Sequence, residues 1–543
     1  IFVIFKNLKT NTMKNHTLST IFFLIFGLLT ITGCEKTAIP FDLIIQNGMV
    51  VDGTGAAAYR ASIAIKKDKI VKISKENIDP ARAIKLIDVN GLIVSPGFID
   101  MHTNVEVNIQ EYPTAENFIR QGITTLMASL HSGDQAFPLD GYADTLKMAP
   151  NVGYFAGHSW IRKKVMGLKN KAPSKEELDS MRYYVDATMR QGALGLSTGL
   201  EYVPGNYADE AEIVELAKIA AQYNGVYFTH MRNEGSGLLK SIRETINIGK
   251  KANIPVQINH LKATGQSQWG WAEKALTLID SAQQAGIDVS HDIYPYTAFS
   301  TLSSILIPQW AMEGGREGLR NRLADKTTSF RIKQEMAELF KRDAGGEDLT
   351  KIQFRNFEQN PAFTGKTLAD YAEHLGLPLT LETGIDILLD LELKGGFIGI
   401  FHAMSEQDIE YFLQHPNTMI DSDGDLLNFG EGHPHPRCYG AFPKVLGHFV
   451  RDKKIITLEN AIHKMTYLPA EKIGLKDRGR IQDGAFADLV IFDFDTIEDN
   501  STYTDPHHFP SGIKYVLING IMVLEQEEMT GQLPGKWMKR KYK

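Results

Sequence analysis

Histidines that follow short apolar runs are the residues of this 543-residue chain best placed to do chemistry. They are His102, His131, His158, His230, His260 and His291. Successive gaps are 29, 27, 72, 30 and 31 residues, and the long gap has room for one more strand at residues 193–198. A strand–helix–strand unit takes roughly 30 residues. The spacing therefore predicts one imidazole per unit at the carboxyl ends of parallel strands, where (β/α)8 barrels build their active sites.

A bound metal ion would explain why several imidazoles lie together at one rim. Imidazoles gathered at one rim cost desolvation energy unless something binds them, and histidine is a common zinc ligand. Three protein ligands with an open fourth position are expected at a catalytic zinc. A single histidine at a strand end is more often hydrogen-bonded and structural, and we assign that role to His158 and His291.

Two polar residues near the last apolar run could complete the site. Asp423 follows the run at 418–420 and is a candidate metal ligand and general base, with a plain Asp-Gly turn as the alternative. Arg437 lies in a loop shortly after it. Arginine binds a carboxylate through two parallel hydrogen bonds. Arg437 could therefore hold an acidic substrate group, with a surface salt bridge as the alternative.

The elements that must position these residues form a β-rich domain and a central α/β unit. We expect the β-rich residues 41–95 and 465–543 to pair into one composite small domain, with hairpin signals at Asn47-Gly48 and Asn519-Gly520. Residues 96–464 alternate strands with helices, which predicts a parallel sheet, open or closed into a barrel. The charged segment at about 312–355 is expected to be an inserted helical subdomain.

Four helices of the central unit are predicted from local signals. Ser174 and Glu177 form a capping-box pattern that begins a helix running towards Gly192. Amphipathic patterns predict the other three helices, at 209–223, 238–252 and 271–285. Nine candidate strands compete for eight barrel places, and the run at 397–401 is the doubtful one.

The beginning of the chain predicts an export signal. Met13 is the better start, and the apolar run at 21–29 is too short to span a bilayer permanently. Residues 31–34 resemble a bacterial lipobox, so we expect cleavage before Cys34, its lipidation, and a tether at 35–40. Several acyl chains anchor firmly. The mature protein is then expected outside the cytoplasm, lipid-anchored to a bacterial membrane, in the periplasm or at the cell surface.

Charge and cysteine content exclude other classes of protein. The net charge of −7 leaves no strong positive field for a polyphosphate, so we expect no nucleic-acid partner. Two cysteines exclude a disulfide scaffold, and lipidation of Cys34 would leave Cys438 without an intrachain partner. The expected partner is a small molecule, and the only membrane contact is through the N-terminal lipid.

Several motifs carry a resemblance to a known family. They are PGFIDMH at 96–102, GALGLSTGLEYVPG at 192–205, YPY at 294–296, DSDG at 421–424 and GRIQDGAFADLV at 479–490. Through them the chain resembles the amidohydrolase superfamily and, more narrowly, the N-acyl-D-amino-acid deacylases (D-aminoacylases). The resemblance covers nearly all of residues 41–535. It implies an α/β fold: a (β/α)8 TIM barrel, a small β-sandwich from both chain ends and an inserted subdomain.

The resemblance also implies a zinc site. The family's tightly held zinc uses a Cys and two His; the histidines match His230 and His260, and the Cys position aligns with His131. A second, weaker metal would use an HxH pair, whose second imidazole is replaced here by Asn104. An imidazole nitrogen cannot bridge two metals as a thiolate can. We therefore expect one Zn²⁺ on His131, His230 and His260, with His102 in a weak second site or hydrogen-bonding beside the metal.

The implied reaction is hydrolysis of the amide of an N-acyl-D-amino acid or a related D-amino-acid amide. Asp423 would take the proton of the zinc-bound water and return it to the leaving amine. The residues that match the family's carboxylate contacts are Arg437, Tyr294 and Ser300. Tyr202 and Lys262 are further pocket candidates, with a packed aromatic residue and a solvated lysine as the alternatives.

Other functions fit the same residues. A cyclic-amide hydrolase of the hydantoinase or dihydropyrimidinase type, or a D-amino-acid dipeptidase, would use the same metal chemistry. A cyclic substrate has no free α-carboxylate, so Arg437 would be idle. A non-catalytic lipid-anchored binding protein is a third interpretation, which metal content distinguishes from an enzyme.

Overall fold

The computed structural model describes residues 40–105, 108–128 and 135–540. The predicted signal segment with Cys34, residues 35–39 of the tether, and His131 lie outside the described residues. Within those ranges, no helix combines the length and the apolar character needed to cross a membrane.

Short strands are distributed along the whole described chain. In order they are β1 (Phe41–Val50), β2 (Tyr59–Lys66), β3 (Lys69–Ser74), β4 (Ala83–Asp88), β5 (Ile93–Pro96), β6 (Phe98–Asn104), β7 (Ile123–Ala128), β8 (Asn151–Tyr154), β9 (Ala156–Gly157), β10 (Gly195–Gly199), β11 (Val226–His230), β12 (Val256–Ile258), β13 (Val289–Ile293), β14 (Phe299–Leu302), β15 (Ile352–Asn356), β16 (Ile398–Phe401), β17 (Thr418–Ile420), β18 (Gly424–Asp425), β19 (Leu489–Phe492), β20 (Ile513–Ile518), β21 (Ile521–Glu525) and β22 (Glu528–Met529).

The central strands form the predicted parallel barrel. One parallel sheet has the order β17-β13-β12-β11-β10-β9, and the other has the order β18-β6-β7-β8. Only Phe155 separates β8 from β9, and only residues 421–423 separate β17 from β18. The chain therefore joins the two sheets at both edges, and eight strand positions surround one core. The fold class is α/β, a TIM barrel, as expected from the sequence.

Helices alternate with the barrel strands and cover them. The helices are Glu116–Ile119, Leu139–Ala143, His158–Met166, Lys175–Arg190, Glu210–Gln222, Leu238–Ala252, Ala272–Gln284, Gly315–Ala324, Lys326–Asp343, Leu368–His374, Leu381–Leu393, Glu406–Gln414, Arg437–Lys444, Leu458–Met465 and Tyr467–Ile473, with a π-helix at Val445–Asp452. The capping box is present, because the Ser174 side chain accepts from Glu177 N and Glu177 accepts from Ser174 N. All four helices predicted from local signals are confirmed within one or two residues at each end.

The ninth candidate strand does not belong to the barrel. The run at 397–401 contains β16, which pairs antiparallel with β14 and β15 in a separate three-stranded sheet. That sheet lies between β13 and β17 in the chain, together with the helices Gly315–Ala324 and Lys326–Asp343 of the charged segment. A short apolar run cannot by itself show whether its partners are parallel or antiparallel, which is why this strand was ambiguous.

Strands from both chain ends share one mixed sheet. Its order is β22-β21-β20-β19-β5-β1-β2-β3, with β4 paired to β1. It has its own apolar core, which includes Leu43, Ile63 and Leu489. Asn519 and Gly520, with φ of 50° and 78°, form the predicted hairpin turn between β20 and β21.

The hairpin predicted at Asn47-Gly48 is wrong. β1 continues through these residues, and its pairing with β2 shifts register between Ile45 and Gly48, so the pair forms a bulge. A Cβ on Gly48 would lie 2.5 Å from Val94 Cγ2, so the close approach of β5 requires glycine there.

Candidate metal and substrate site

The carboxyl ends of the barrel strands surround a cavity of about 1040 Å³. His230 is the last residue of β11, His260 follows β12 by two residues, and Asp423 directly precedes β18. The cavity lining contains these three residues and also the predicted substrate contacts Arg437, Tyr294, Ser300, Tyr202 and Lys262. His102 lies in β6, fully buried beside this group.

Two imidazoles face each other at the base of the cavity. His230 Nδ1 and His260 Nε2 are 2.9 Å apart. The other nitrogen of each ring contacts a carboxylate: His230 Nε2 lies 2.8 Å from Glu201 Oε2, and His260 Nδ1 lies 3.1 Å from Glu234 Oε1. A metal-binding histidine usually gives its second nitrogen to such a carboxylate. The facing nitrogens are therefore the natural ligand pair, and the carboxylates orient the rings.

Burial keeps this imidazole pair neutral. Burial lowers the pKa of His230 to about 4 and, together with the charge of Lys262, holds the pKa of His260 well below its usual value. Zinc binds neutral imidazole, so protons do not compete for these nitrogens near neutral pH. Burial and then the charge of Glu234 raise the pKa of Glu201 to about 8.

Lys262 is part of the histidine network. Its Nζ lies 2.6 Å from Glu234 Oε2 and 2.7 Å from His260 Nδ1, and its side chain is 3% exposed. The sequence alternative of a solvated lysine is therefore wrong. Because Glu234 contacts both Lys262 and His260, it connects the cavity lining to the ligand pair.

Asp423 lies close to His260 and contacts His102 and Arg437. Its Oδ1 lies 3.4 Å from His102 Nε2, and its Oδ2 lies 2.8 Å from Arg437 Nη1. Burial would raise its pKa, but the charge of Arg437 and the hydrogen bond from His102 hold that pKa well below its usual value. Asp423 is therefore an ionised carboxylate, which can bind a cation or accept a proton.

Among the residues that the structure describes, two sets of three ligands could hold a cation, and they share His260. One is His102, His260 and Asp423, and the other is His230, Glu234 and His260; within each set the ligand atoms lie within 4.8 Å of one another. Nitrogen and carboxylate donors at this spacing fit zinc. Asn104 is not among these ligands, and its amide donates to Asp423 Oδ1 over 3.3 Å. His131 lies outside the described residues, so its role as third ligand stays a prediction.

The loops that carry the ligands are held by buried acids. Asp292 Oδ1 accepts from His260 N over 2.5 Å, and Asp100 accepts from Ser422 N over 3.0 Å and from His102 N over 3.3 Å. Burial raises the pKa of Asp100 to about 8 and of Asp292 to about 6. His260 and Asp423 have φ of 37° and 46°. Such left-handed backbone is typical of functional sites held in place by their surroundings.

The predicted carboxylate contacts cluster around one arginine. Arg437 is 1% exposed, lies 4.8 Å above the ring of Tyr294, and donates to the backbone carbonyl of Ser300 over 3.4 Å. The alternative of a surface salt bridge is therefore wrong for Arg437. Tyr202 contacts Thr301 through its hydroxyl and lies 4.7 Å from His230, ring to ring.

The remaining predicted residues lie outside the cavity lining. His158 Nε2 pairs with Glu212 at 2.8 Å, and His291 Nε2 contacts Thr418 Oγ1 at 2.8 Å. Cys438 is a free, buried thiol. Glu201 and Glu234 are ring partners that the sequence did not predict, although Glu201 lies in the GALGLSTGLEYVPG motif and Glu234 follows His230 by four residues.

Comparison with known proteins supports an enzymatic site. Residues 414–524 match an amidohydrolase family model. The chain is 34% identical over 526 residues to a D-aminoacylase of Alcaligenes xylosoxydans xylosoxydans, covering 92% of this chain and 98% of the relative. It is 32% identical to an N-acyl-D-glutamate deacylase of the same organism, covering 92% and 96%.

Solved structures agree with the sequence comparison. A D-aminoacylase superimposes with a TM-score of 0.76 at 31% identity, covering 92% of this chain and 99% of that one. The same score, identity and coverage hold for the N-acyl-D-glutamate deacylase of Bordetella bronchiseptica, which was solved with zinc and a phosphonate mimic of the tetrahedral intermediate. A D-hydantoinase, at 16% identity and a TM-score of 0.55, shares the fold alone.

The barrel and the imidazole–carboxylate rim thus define an amidohydrolase. Given its identity to the D-aminoacylase along nearly its full length, the chain belongs to the D-aminoacylase family.

Replacing the carboxylate behind an imidazole tests the ligand pair. We expect Glu234→Gln to weaken zinc binding by about 10- to 100-fold, because the amide no longer fixes the ring of His260. Calorimetric titration of the metal-free protein with zinc measures this. Glu335→Gln is the matched control, because Glu335 also lines the cavity but bonds to Trp310. Equal affinities in both variants would contradict the assignment.

Proposed function

We propose that this chain is a zinc-dependent hydrolase that cleaves N-acyl-D-amino acids to a carboxylate and a free amino acid. The observation that carries the proposal is the facing pair His230 and His260, 2.9 Å apart, with Asp423 and Arg437 in the same cavity. The relatives named for N-acyl-D-amino acids support this substrate, and a zinc-bound relative supports the metal.

Zinc on His230 and His260, with His131 as the predicted third ligand, would polarise the amide carbonyl and lower the pKa of a bound water to roughly 7. The protein's own groups then move the protons. Asp423 is positioned to accept the proton of the attacking water and to donate it to the leaving nitrogen, so that it ends as it began. His102, 3.4 Å from Asp423, keeps that carboxylate directed at the site.

Arg437 would bind the α-carboxylate of the substrate. It is buried, it lies over Tyr294, and Asp423 is its present anionic partner. A substrate carboxylate can replace Asp423 as the partner of this guanidinium, and Asp423 can then accept a proton from the attacking water. Lys262 lies 5.5 Å from the centre of the Tyr294 ring, but its ammonium group is paired with Glu234, so Arg437 is the cation left for the substrate.

We further propose that one zinc ion suffices. Asn104 donates a hydrogen bond to Asp423, where an imidazole would offer a lone pair to a second metal. A solved D-aminoacylase is described as having a binuclear centre with one-metal activation and second-metal attenuation. Loss of an attenuating site is therefore compatible with an active enzyme.

A cyclic-amide hydrolase is the second candidate, and only the shared fold with a D-hydantoinase favours it. A D-amino-acid dipeptidase would use the same Arg437 contact, and substrate assays separate it from a deacylase. The third candidate, a metal-free binding protein, is disfavoured because His230 and His260 are both present and face each other as a metal-ligand pair.

The base assignment is tested by turnover of N-acetyl-D-leucine. We expect Asp423→Asn to lower kcat by about 10²- to 10⁴-fold, because the amide cannot accept the proton of the water. Asp179→Asn, on the exposed face of a helix, is the control. N-acetyl-L-leucine should be a poor substrate. Equal turnover by Asp423→Asn and the wild type would remove Asp423 from the mechanism.

Metal content tests the single site. We expect the purified protein to bind about one zinc per chain, and chelation to abolish activity and lower the unfolding temperature, because a ligand of the native state stabilises it. Asn104→His should add a second, weaker zinc. Elemental analysis after dialysis measures both. Two tightly held ions in the wild type would overturn the proposal.

The lipid anchor is a separate proposal that depends on the sequence of residues 31–34. We expect the full chain to fractionate with membranes, because several acyl chains anchor a protein firmly in a bilayer. We expect the Cys34→Ser variant, which carries no acyl chain, in the soluble fraction. Equal membrane retention of both forms would show that Cys34 is not the anchor.

A further inference from the structure

The cavity has one wall that the proposed reaction does not explain. Ser300, Thr301 and Leu302 of β14, Arg355 of β15 and Ile398 of β16 all line it, so the three-stranded sheet forms this wall. The chain after β14 adds apolar side chains to the lining: Ile305, Leu306, Ile307, Trp310 and Met312. This wall is beside Arg437, which donates to the carbonyl of Ser300.

A second arginine lies on the same wall. Arg355 Nη1 is 3.5 Å from Ser300 Oγ, so Ser300 stands between two guanidinium groups. Taken alone, this pair would suit a substrate with two carboxylates. Arg355 Nη2, however, lies 2.5 Å from Asp425 Oδ2, and both side chains are largely buried, at 16% and 22% exposure. An ion pair shielded from water in this way is screened far less than a surface pair.

The two arginines differ in what their partners do during the reaction. Asp423 and Asp425 are two residues apart, and each pairs with one of the arginines. In the proposed mechanism Asp423 accepts a proton from the attacking water, and Arg437 is then available to bind one substrate carboxylate. Asp425 has no such task, since it is not among the possible metal ligands of the described residues, and it stays on Arg355.

The other cations of the lining are neutralised as well. Each cationic side chain in the described lining has a carboxylate within 4.0 Å: Arg232, Lys262, Arg342, Arg355 and Arg437. Glu335 and Glu338, on the helix that borders the cavity, are themselves paired with Arg331 and Arg342. A second substrate carboxylate would therefore meet cations whose carboxylate partners stay in place, and those partners would repel it.

We propose that Asp425 is a specificity-determining residue: by neutralising Arg355 it restricts the cavity to substrates with a single carboxylate and an apolar side chain. The inference rests on the proposed function and narrows its substrate to N-acyl derivatives of apolar D-amino acids. The apolar wall after β14 accepts the side chain, and Arg437 accepts the α-carboxylate. Removing the charge of Asp425 frees Arg355 for a second carboxylate.

The test compares kcat/KM for N-acetyl-D-leucine and N-acetyl-D-glutamate in the zinc-loaded full chain. We expect the wild type to favour leucine by about 100-fold, because the carboxylates paired with the cations of the lining repel a second substrate carboxylate. Asp425→Asn should reduce that ratio at least tenfold by raising kcat/KM for glutamate. The double variant Asp425→Asn/Arg355→Met should return the ratio to near the wild-type value, because no guanidinium is left to bind the second carboxylate.

The outcomes separate the two proposals. Preference of the wild type for glutamate, or an unchanged ratio in Asp425→Asn, would overturn the role of Asp425 and leave the deacylase function standing. Absence of hydrolysis of every N-acyl-D-amino acid by the zinc-loaded wild type would overturn the function and this inference with it. If Asp425→Asn fails to fold by circular dichroism, Arg355→Met replaces it: an unpaired Asp425 should widen the preference for leucine, and a narrower ratio would overturn the proposal.

Discussion

The site depends on one constraint: two buried imidazoles must be kept neutral and turned towards each other. Burial lowers the pKa of His230 to about 4, and burial with the charge of Lys262 keeps His260 neutral as well. Burial does not fix orientation, since an imidazole can rotate to present either nitrogen. Glu201 and Glu234 remove that freedom by contacting the outer nitrogens, which leaves Nδ1 of one ring and Nε2 of the other facing inward. A metal ion then finds its ligands preorganised.

The barrel supplies these four residues from three neighbouring strands. Glu201 follows β10, His230 ends β11 and Glu234 follows it, and His260 follows β12. Parallel strands all end at the same rim, so residues far apart in the chain meet there without any long connection. The left-handed backbone at His260 is held by Asp292 on the next strand, β13. The support of each ligand thus comes from an adjacent strand.

The sequence predicted the parts of this structure that follow from periodicity. Histidines spaced by about one strand–helix unit indicated the rim, and capping and amphipathic patterns located the helices. The ring partners were missed because a glutamate two residues after a strand, or four residues after a histidine, has no spacing that distinguishes it from a loop acid. The same dipeptide, Asn-Gly, made a hairpin at Asn519 and a bulge at Asn47. Only the position of β5 against Gly48 decides between them, and that contact is tertiary.

The mixed sheet also imposes an order of events on synthesis. β5 pairs with β19, and the partners Pro96 and Leu489 lie almost the length of the barrel apart in the chain. At ribosomal rates of 5–20 residues per second, the first strands wait roughly 20 to 80 s for the strand that completes their sheet. During that interval β5 presents an open edge on the side that β19 will occupy, and an open edge invites pairing with other chains.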